Sequence, residues 1–451
     1  MRKILIVCNH FAPDNAIAAV RLTKIAKYLR KDGYSITVIA EKKNNLLKDK
    51  ILEMDAAGIK VLRIENSERQ KSRTELYKRL INPIKEPKFN DLDNRIRVNT
   101  RTGKEEFYTF ETAYPVIGSL DYAAEVIRQY DLFLNAKNYL DRCGDFDYIF
   151  TSYGDYFGYF CGEYLHKKFA DIPWIFDIRD SIYRYKFTPD YVSVFAKHVE
   201  KNVWEHADAI IGVSKGICRR VPQKYRRKVK YISNGYDTSD REGITASNTH
   251  NDKMVLSYTG SMYGGLQNLS VLYKCLSELI AAEKIDNANI EIRYAGNEAA
   301  FYIFRSQAEK YGLGKLCRYM GKLERRDALK LQSESDILLV ASFDYNDGNG
   351  GVITGKALEY MSAGKPIISI VTGDLKNSEL TRIISDCRLG CTYEEANDRE
   401  DYQALKSYIL KAYNEFMSFG YVKHDPDAGL LKKYDYRYIS KRIEKVLNSL
   451  N

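Results

Sequence analysis

The stretch from Asp336 to Ile370 constrains this chain more tightly than any other. Asp336-Ile337-Leu338-Leu339-Val340-Ala341 is a short apolar run and reads as a buried strand. Asp347-Gly348-Asn349-Gly350-Gly351 follows as a loop too rich in glycine for regular structure. Thr354 to Ala363 then puts Ala357, Leu358 and Met361 on one helical face; Gly364 suits a left-handed cap and Pro366 prevents continuation. Ile367 to Val371 is the next strand. Strand, glycine loop, helix and strand make one βαβ unit, the building block of a parallel sheet.

Such a unit offers a place for an anion. The first turn of a helix has unpaired backbone N–H groups and the positive end of the helix dipole. Glycines let a phosphate approach that backbone with no Cβ in the way. Lys356 and Glu359 fall three residues apart on the first turns. A lysine there can meet a phosphate, and a carboxylate can accept from the two vicinal hydroxyls of a ribose. An ordinary loop followed by a salt-bridged surface helix is the competing reading of the same residues. Gly350 to Lys356, G-G-V-I-T-G-K, also fits the first seven positions of the phosphate loop GxxxxGK[ST]. The eighth is Ala357, which has no hydroxyl to hold Mg²⁺.

At 451 residues the chain is long for one core, and about two or three domains are expected. No apolar run approaches the about 20 residues of a membrane span. Met-Arg-Lys followed by Ile4 to Val7 is too short for a signal peptide and reads as a first strand. The eight cysteines include no CxxC pair and the six histidines no HExxH pattern, so reduced structural thiols and no metal are expected. The net charge of +10 suits work near polyanions or anionic lipid. No helix-turn-helix, RNP or zinc-finger signature accompanies it, so no nucleic-acid partner is expected.

In chain order, Lys3 to Cys8 reads as a strand, Asn15 to Arg30 as an amphipathic helix, and Ser35 to Ala40 and Ile59 to Ile64 as strands, without GxGxxG. Glu65 to about Ser119 is polar, basic and irregular. In it Lys71, Arg73, Lys78, Arg79 and Lys85 interleave with Leu76, Leu80, Ile81 and Ile84, the pattern of a basic amphipathic segment on a membrane or of a solvated insertion. A helix from about Leu120 to Arg142, then strands at Tyr148 to Thr151, Trp174 to Ile178 and Ala209 to Val213, resume the alternation. Arg179-Asp180 lies at the carboxyl end of an apparent central strand, where ligands sit in open α/β sheets. Thr238 to Lys253 reads as a polar linker, and a second alternation begins at Val255. The division is thus 1–237, with an insertion at about 65–118, a linker at 238–253, a second domain at 254–430, and a terminal helix within 431–451.

Two Rossmann-like halves with a nucleotide loop in the second resemble the GT-B fold of glycosyltransferases. Asn9 to Arg21, N-H-F-A-P-D-N-A-I-A-A-V-R, is similar to the acceptor loop and first helix of glycosyltransferase family 4, a retaining group. Ala207 to Ser214, A-D-A-I-I-G-V-S, resembles its "ADAVIAVS" strand, and Ile232 to Asp237 its "IPNGVD" turn. Tyr258-Thr259-Gly260-Ser261 opens the second half as in the family. Gly355 to Pro366, G-K-A-L-E-Y-M-S-A-G-K-P, is close to the "SKxxEYMAAGKP" stretch of members that assemble surface polysaccharides.

The resemblance implies an α/β GT-B architecture, two Rossmann-like domains facing each other across a cleft, with the C-terminal helix crossing back to the N-terminal domain. It implies retaining transfer of a sugar from a nucleotide-diphosphate sugar, expected to be a UDP-sugar, to a saccharide or lipid-linked saccharide in cell-surface polysaccharide synthesis. A cytoplasmic protein, peripheral on an anionic membrane surface at the inner face of the plasma membrane, goes with that role. Lys356 then meets the diphosphate and Glu359 the ribose. Gly260, Lys322, Arg325, Asp347, Gly350, Gly351, Val352, Ile353 and Thr354 line the donor, and His10, Asp14, Asn15 and Arg21 lie on the acceptor side. Arg179 and Asp180 lie beside the reacting sugar. No cofactor or metal is expected; the nucleotide-sugar is a substrate.

The sequence departs from the family pattern at informative places. The first glutamate of the E-x7-E motif falls on Gly351, with Asp347 a nearby substitute, and the usual histidine of the N-terminal domain appears as Arg179. The usual Arg and Lys after the first strand of the second domain are missing from Gly260 to Asn268, which leaves the diphosphate to Lys356, Lys322 or Arg325 and to backbone amides. The missing glutamate also keeps open a non-catalytic Rossmann pair that binds nucleotide-sugar or polyanion.

Overall fold

Short runs of Val, Ile, Leu and aromatic residues form the strands, because β-branched and flat side chains fit a pleated, buried surface. The computed structural model describes residues 1–43, 47–76, 96–98, 105–107, 115–182, 190–244, 252–262, 266–343 and 353–450, with the side chains of 96–98, 105–107, 115–121 and 190–193 excepted. The strands are β1 (Lys3–Cys8), β2 (Ser35–Glu41), β3 (Lys60–Ile64), β4 (Ile96–Val98), β5 (Glu105–Phe107), β6 (Tyr148–Tyr153), β7 (Trp174–Ile178) and β8 (Ala209–Gly212). They continue with β9 (Val229–Tyr231), β10 (Met254–Thr259), β11 (Ile290–Ala295), β12 (Cys317–Tyr319), β13 (Ile337–Phe343), β14 (Ile367–Thr372) and β15 (Gly390–Glu394). The chain forms two units, one of residues 1–97, 108–234 and 436–451, the other of 98–107 and 235–435. The strands β4 and β5 pair as a small ribbon.

The first unit is built on a seven-stranded parallel sheet in the order β3-β2-β1-β6-β7-β8-β9. Alternate residues feed opposite faces. Ile4, Ile6 and Cys8 pack with the helix Ile17–Lys31, whereas Leu5 and Val7 pack with the helices Pro115–Leu140 and Phe157–Lys168. The final helix, Tyr436–Asn448, belongs to this unit: Tyr436, Ile439, Ile443, Val446 and Leu447 form its buried stripe and join the cluster of Ile17–Lys31. Strand order reverses between β1 and β6, which makes a topological switch point at the carboxyl ends of those two strands.

One buried ion pair ties this unit together. Arg21, on the first helix, is 2% exposed and Asp177, on β7, is fully buried; NH2 lies 2.7 Å from Oδ1. Arg21 also donates from NH1 to Ser233 O at 2.8 Å and from NH2 to Ile232 O at 3.1 Å, while Ser152 Oγ donates to Asp177 Oδ2 at 3.1 Å. Burial opposes the guanidinium charge, but Asp177 outweighs it and raises the arginine pKa. The expectation that Arg21 lines an acceptor site is corrected here: it clamps the helix to the sheet and to the chain after β9.

The second unit has a six-stranded parallel sheet, β12-β11-β10-β13-β14-β15, and reverses its order between β10 and β13. Leu339 and Ala341 face the core shared with Leu256 and Tyr258; Leu338 and Val340 face Ala357, Leu358 and Tyr360. The helix after β13 is shorter than its sequence pattern suggests. It runs from Gly355 to Tyr360, tightens into a 3₁₀ turn over Met361–Ala363, and stops at Gly364, whose φ of 66° is left-handed. Thr238–Arg241, which reads as the start of a linker, is a 3₁₀ turn built into this unit: Arg241 donates to Ser362 Oγ, Leu329 O and Ser333 Oγ.

Removing the Arg21 side chain strands a buried carboxylate, which costs about 3–5 kcal/mol. Arg21→Ala therefore lowers the stability of the first unit by that order in calorimetric or urea unfolding. The double variant Arg21→Met/Asp177→Leu recovers part of the loss.

Candidate active site

The switch point of the second sheet gathers most of the described residues that the sequence marks for the donor. β10 ends at Thr259, and Gly260 follows with φ of 101°, a conformation that favours glycine. Its carbonyl accepts from Tyr294 Oη at 2.8 Å. Across the switch, Lys356 reaches over this turn. Its Nζ donates to Ser261 O at 2.7 Å and lies 4.9 Å from the centroid of the Tyr258 ring. A Cβ at position 260 would lie 3.2 Å from Nζ, so the glycine also makes room for the ammonium. Burial pulls the Lys356 pKa down to about 8, partly opposed by Glu359. An anion beside it would hold the charge in place.

Glu359 is oriented by a polar network. Its Oε1 accepts from Gln332 Nε2 at 2.7 Å, and its Oε2 lies 3.1 Å from Arg325 NH2. Gln332 is fully buried; its Nε2 also donates to Thr259 Oγ1 at 3.1 Å, and its Oε1 accepts from Arg241 NH2 at 2.5 Å. Arg325 pairs as well with Asp240, at 3.0 Å. Burial lowers the Arg241 pKa to about 10, with Glu359 pulling the other way. The carboxylate is thus fixed before any ligand arrives.

The remaining donor residues divide. Thr354 caps the short helix, its Oγ1 accepting from Ala357 N at 3.3 Å, and Ile353 packs against the core beside that helix. Lys322 is exposed. Arg325 engages carboxylates, which makes it an anchor for Glu359. Asp347, Gly350, Gly351 and Val352 lie outside the described residues. Sequence reasoning missed Gln332, Arg241 and Asp240; neither the helix that carries Gln332 nor the polar turn that carries Asp240 and Arg241 shows which distant side chains they meet.

In the first unit, Arg179 and Asp180 directly follow β7 as expected. Arg179 donates from NH1 to Ala18 O at 2.5 Å, and its NH2 is buried without a partner among the described residues; Asp180 is exposed. His10 follows β1 by two residues. Burial, with Lys43 and Arg179 nearby, lowers its pKa to about 4, so the ring is neutral at pH 7. Asp14 is buried 3.4 Å from Arg63 NH1, and burial raises its pKa against that pairing. Asn15 is exposed. Glu41 and Asp155 also occupy strand ends here. The rule that singled out Arg179, a charged residue where an apolar strand stops, finds both.

Residues 253–409 match the family model described as "Glycosyl transferases group 1". No curated protein sequence matches the chain. Among solved structures, an α,α-trehalose-phosphate synthase (UDP-forming) from Burkholderia vietnamiensis is similar at TM-score 0.62 and 10% identity, over 100% of each chain. A sucrose-phosphate synthase from Thermosynechococcus elongatus is similar at TM-score 0.58 and 13% identity, over 100% of this chain and 99% of that one. The lipopolysaccharide outer core galactosyltransferase WaaB, in its apo form, is similar at TM-score 0.56 and 11% identity, over 99% of each. At these identities the likeness is one of fold, and that fold is GT-B. The protein is a glycosyltransferase by its group 1 domain, carried in the second unit.

Proposed function

We propose that this protein transfers a sugar, with retention, from a UDP-sugar to a saccharide or lipid-linked saccharide in cell-surface polysaccharide synthesis. The observation that carries the reading is the pairing of Lys356 beside Gly260 with a pre-oriented Glu359 at one switch point. Glu359 accepts from the ribose hydroxyls. Lys356 meets the diphosphate, in place of the Arg and Lys that the loop after β10 lacks. Cleaving a sugar–diphosphate bond builds negative charge on the leaving phosphate and oxocarbenium character on the sugar. A desolvated ammonium near the phosphate answers the first without a metal. Arg179 or Asp180 orients the donor sugar or the acceptor hydroxyl. The likeness to a UDP-forming trehalose-phosphate synthase supports uridine, and the likeness to a lipopolysaccharide outer core galactosyltransferase supports a surface glycan. Glycine at 351 is the feature that favours a non-catalytic nucleotide-sugar binder, and turnover of labelled nucleotide-sugar separates the two.

The membrane part of the reading rests on Arg219 to Lys230. Arg219, Lys224, Arg226, Arg227 and Lys230 are exposed there, while Arg220 pairs with Glu200. In the other basic stretch, Lys71 pairs with Glu65 and Glu68, Arg73 pairs with Asp131, and Lys78, Arg79 and Lys85 lie outside the described residues. Among the described residues no helix is long and apolar enough to cross a membrane. Each exposed cation near an anionic leaflet contributes about 1 kcal/mol, screened by salt.

A thermal-shift screen of UDP-, GDP- and ADP-sugars is expected to show stabilisation by the UDP series. Glu359→Ala weakens that binding on the order of 100-fold while the fold persists, since two hydrogen bonds to a charged group are lost. Unchanged affinity and turnover in Glu359→Ala would place the nucleotide elsewhere. Arg179→Ala lowers kcat on the order of 100-fold with nucleotide affinity nearly unchanged; equal loss of both marks a structural role. In flotation with anionic liposomes, the protein rises at low salt and not at high salt. Reversing the five exposed charges abolishes the effect, and a wild type that stays with the soluble fraction at low salt removes the membrane from the reading.

A further inference from the structure

The edge of the second sheet carries a cleft apart from the donor residues. Strand β15 pairs with β14 on one side and, among the described residues, with no strand on the other. The helix Glu379–Asp386 packs on one face of the sheet with Leu338, Val340 and Ile367, and the helix Asp398–Phe419 packs on the other with Leu339, Ala341 and Ile368. Between these helices, Gly390, Cys391 and Thr392 of the free edge line a cleft of about 530 Å³. The first helix lends it Ile384, the turn after that helix Arg388, and the second helix Tyr408; Lys423, His424 and Asp425 come from the segment beyond. The cleft sits at the amino end of β15. Lys356 and Glu359 belong to the carboxyl ends of β10 and β13, the opposite end of the same parallel sheet.

The side chains in this cleft are mostly donors with little to donate to. Arg388 has one charged partner, Asp425, 3.5 Å away and 90% exposed. Lys423 Nζ rests 4.0 Å from the centroid of the Phe419 ring and pairs with no carboxylate among the described residues. Thr392 Oγ1 is buried with no hydrogen bond, and among the described residues neither the Tyr408 hydroxyl nor the His424 ring makes one. Burial lowers the His424 pKa, opposed by Asp425 and helped by Lys365, so the ring is neutral at pH 7. Arg388 also stands where glycine is the usual residue. The helix Glu379–Asp386 ends in a Schellman turn, with Leu389 N donating to Ile384 O at 2.8 Å and Arg388 N to Ser385 O at 3.0 Å, and Arg388 takes a left-handed φ of 53°. That conformation costs a residue with a Cβ and is free to glycine. What arginine adds at this position is its side chain, and the side chain lines the cleft.

Two cations and a set of uncommitted hydroxyl and ring donors fit a ligand that is anionic and rich in acceptors. A phosphate oxygen accepts charge-assisted bonds from guanidinium and ammonium alike. The volume is in the range that holds a small organic molecule, and Ile384, Cys391 and the Tyr408 ring give its body an apolar wall. We propose that this cleft is a binding site for a small phosphomonoester, with Arg388 and Lys423 meeting the phosphate and Thr392 and Tyr408 the hydroxyls of the ester. Because the cleft and the donor residues lie at opposite ends of the sheet, the ester and a nucleotide bind together without competing. The site stands whether or not the donor reading holds.

The test is calorimetric titration of the full chain with glycerol 3-phosphate, ribose 5-phosphate, glucose 6-phosphate and inorganic phosphate, each with and without UDP. Glycerol and glucose serve as neutral controls. At least one ester is expected to bind, more tightly than inorganic phosphate, with UDP leaving its affinity unchanged and the neutral controls not binding. Arg388→Gly suits the left-handed turn, so its unfolding temperature stays at or above that of the wild type while ester affinity falls about tenfold or more. Lys423→Gln weakens the ester likewise, and Thr392→Val weakens the ester without changing the weaker binding of inorganic phosphate. Lys356→Ala leaves ester binding in place. Ester binding that depends on Arg388, with no nucleotide bound by the wild type, sinks the donor reading and leaves this site standing. Four results overturn the proposal: no ester binds; Arg388→Gly and Lys423→Gln bind as the wild type does; UDP or Lys356→Ala abolishes the binding, which puts the ester in the donor site; or inorganic phosphate or a neutral control binds as tightly as every ester.

Discussion

A parallel sheet covered by helices on both faces reaches solvent mainly along its strand ends. Each sheet of this chain also reverses its strand order beside its first strand, between β1 and β6 and between β10 and β13. At such a reversal the connections leave in opposite directions and no crossover covers the gap, so loops and helix starts can converge on a ligand. The chemistry-bearing residues gather at these two places because the topology leaves them open. The strand interiors, such as Ile4 to Cys8 and Ile337 to Ala341, are almost wholly apolar.

The treatment of buried charge separates scaffold from site. Arg21 and Asp177 neutralise each other and draw in four further polar groups, so the pair holds shape and offers little to a ligand. Around Glu359 the pairing is partial. Gln332 and Arg325 fix the carboxylate in position, and Lys356 rests on a carbonyl and a tyrosine ring with a pKa lowered by burial. A group whose charged form is disfavoured in the empty protein gains most when an opposite charge arrives.

Much of the fold was legible in the sequence. The periodicity of Asn15 to Arg30, the strands around Ile4, Ile175 and Ile337, and the cap at Gly364 with Pro366 behind it all rest on local rules, and the structure follows them within a few residues. The pair Lys356 and Glu359 was legible for the same reason: their separation of three residues is set by the helix itself. Arg21 misled because a cation near a loop motif looks the same whether it faces a ligand or a buried carboxylate 156 residues away. Thr238–Arg241 misled because a polar turn low in apolar residues resembles a linker until Arg241 is seen among Ser362, Leu329 and Ser333.

The sequence by itself determined the two parallel-sheet units and the local order of strand, loop and helix, because burial on both faces requires continuous apolar runs and helices require their own period. Only the tertiary structure decided which polar residues share an environment. Gln332 meets Glu359 across a sequence separation of 27, and Asn9 meets Glu41 and Gln129 across separations of 32 and 120. Hydrogen bonding acts over about 3 Å, and nothing in a linear pattern fixes which distant strand ends will lie that close.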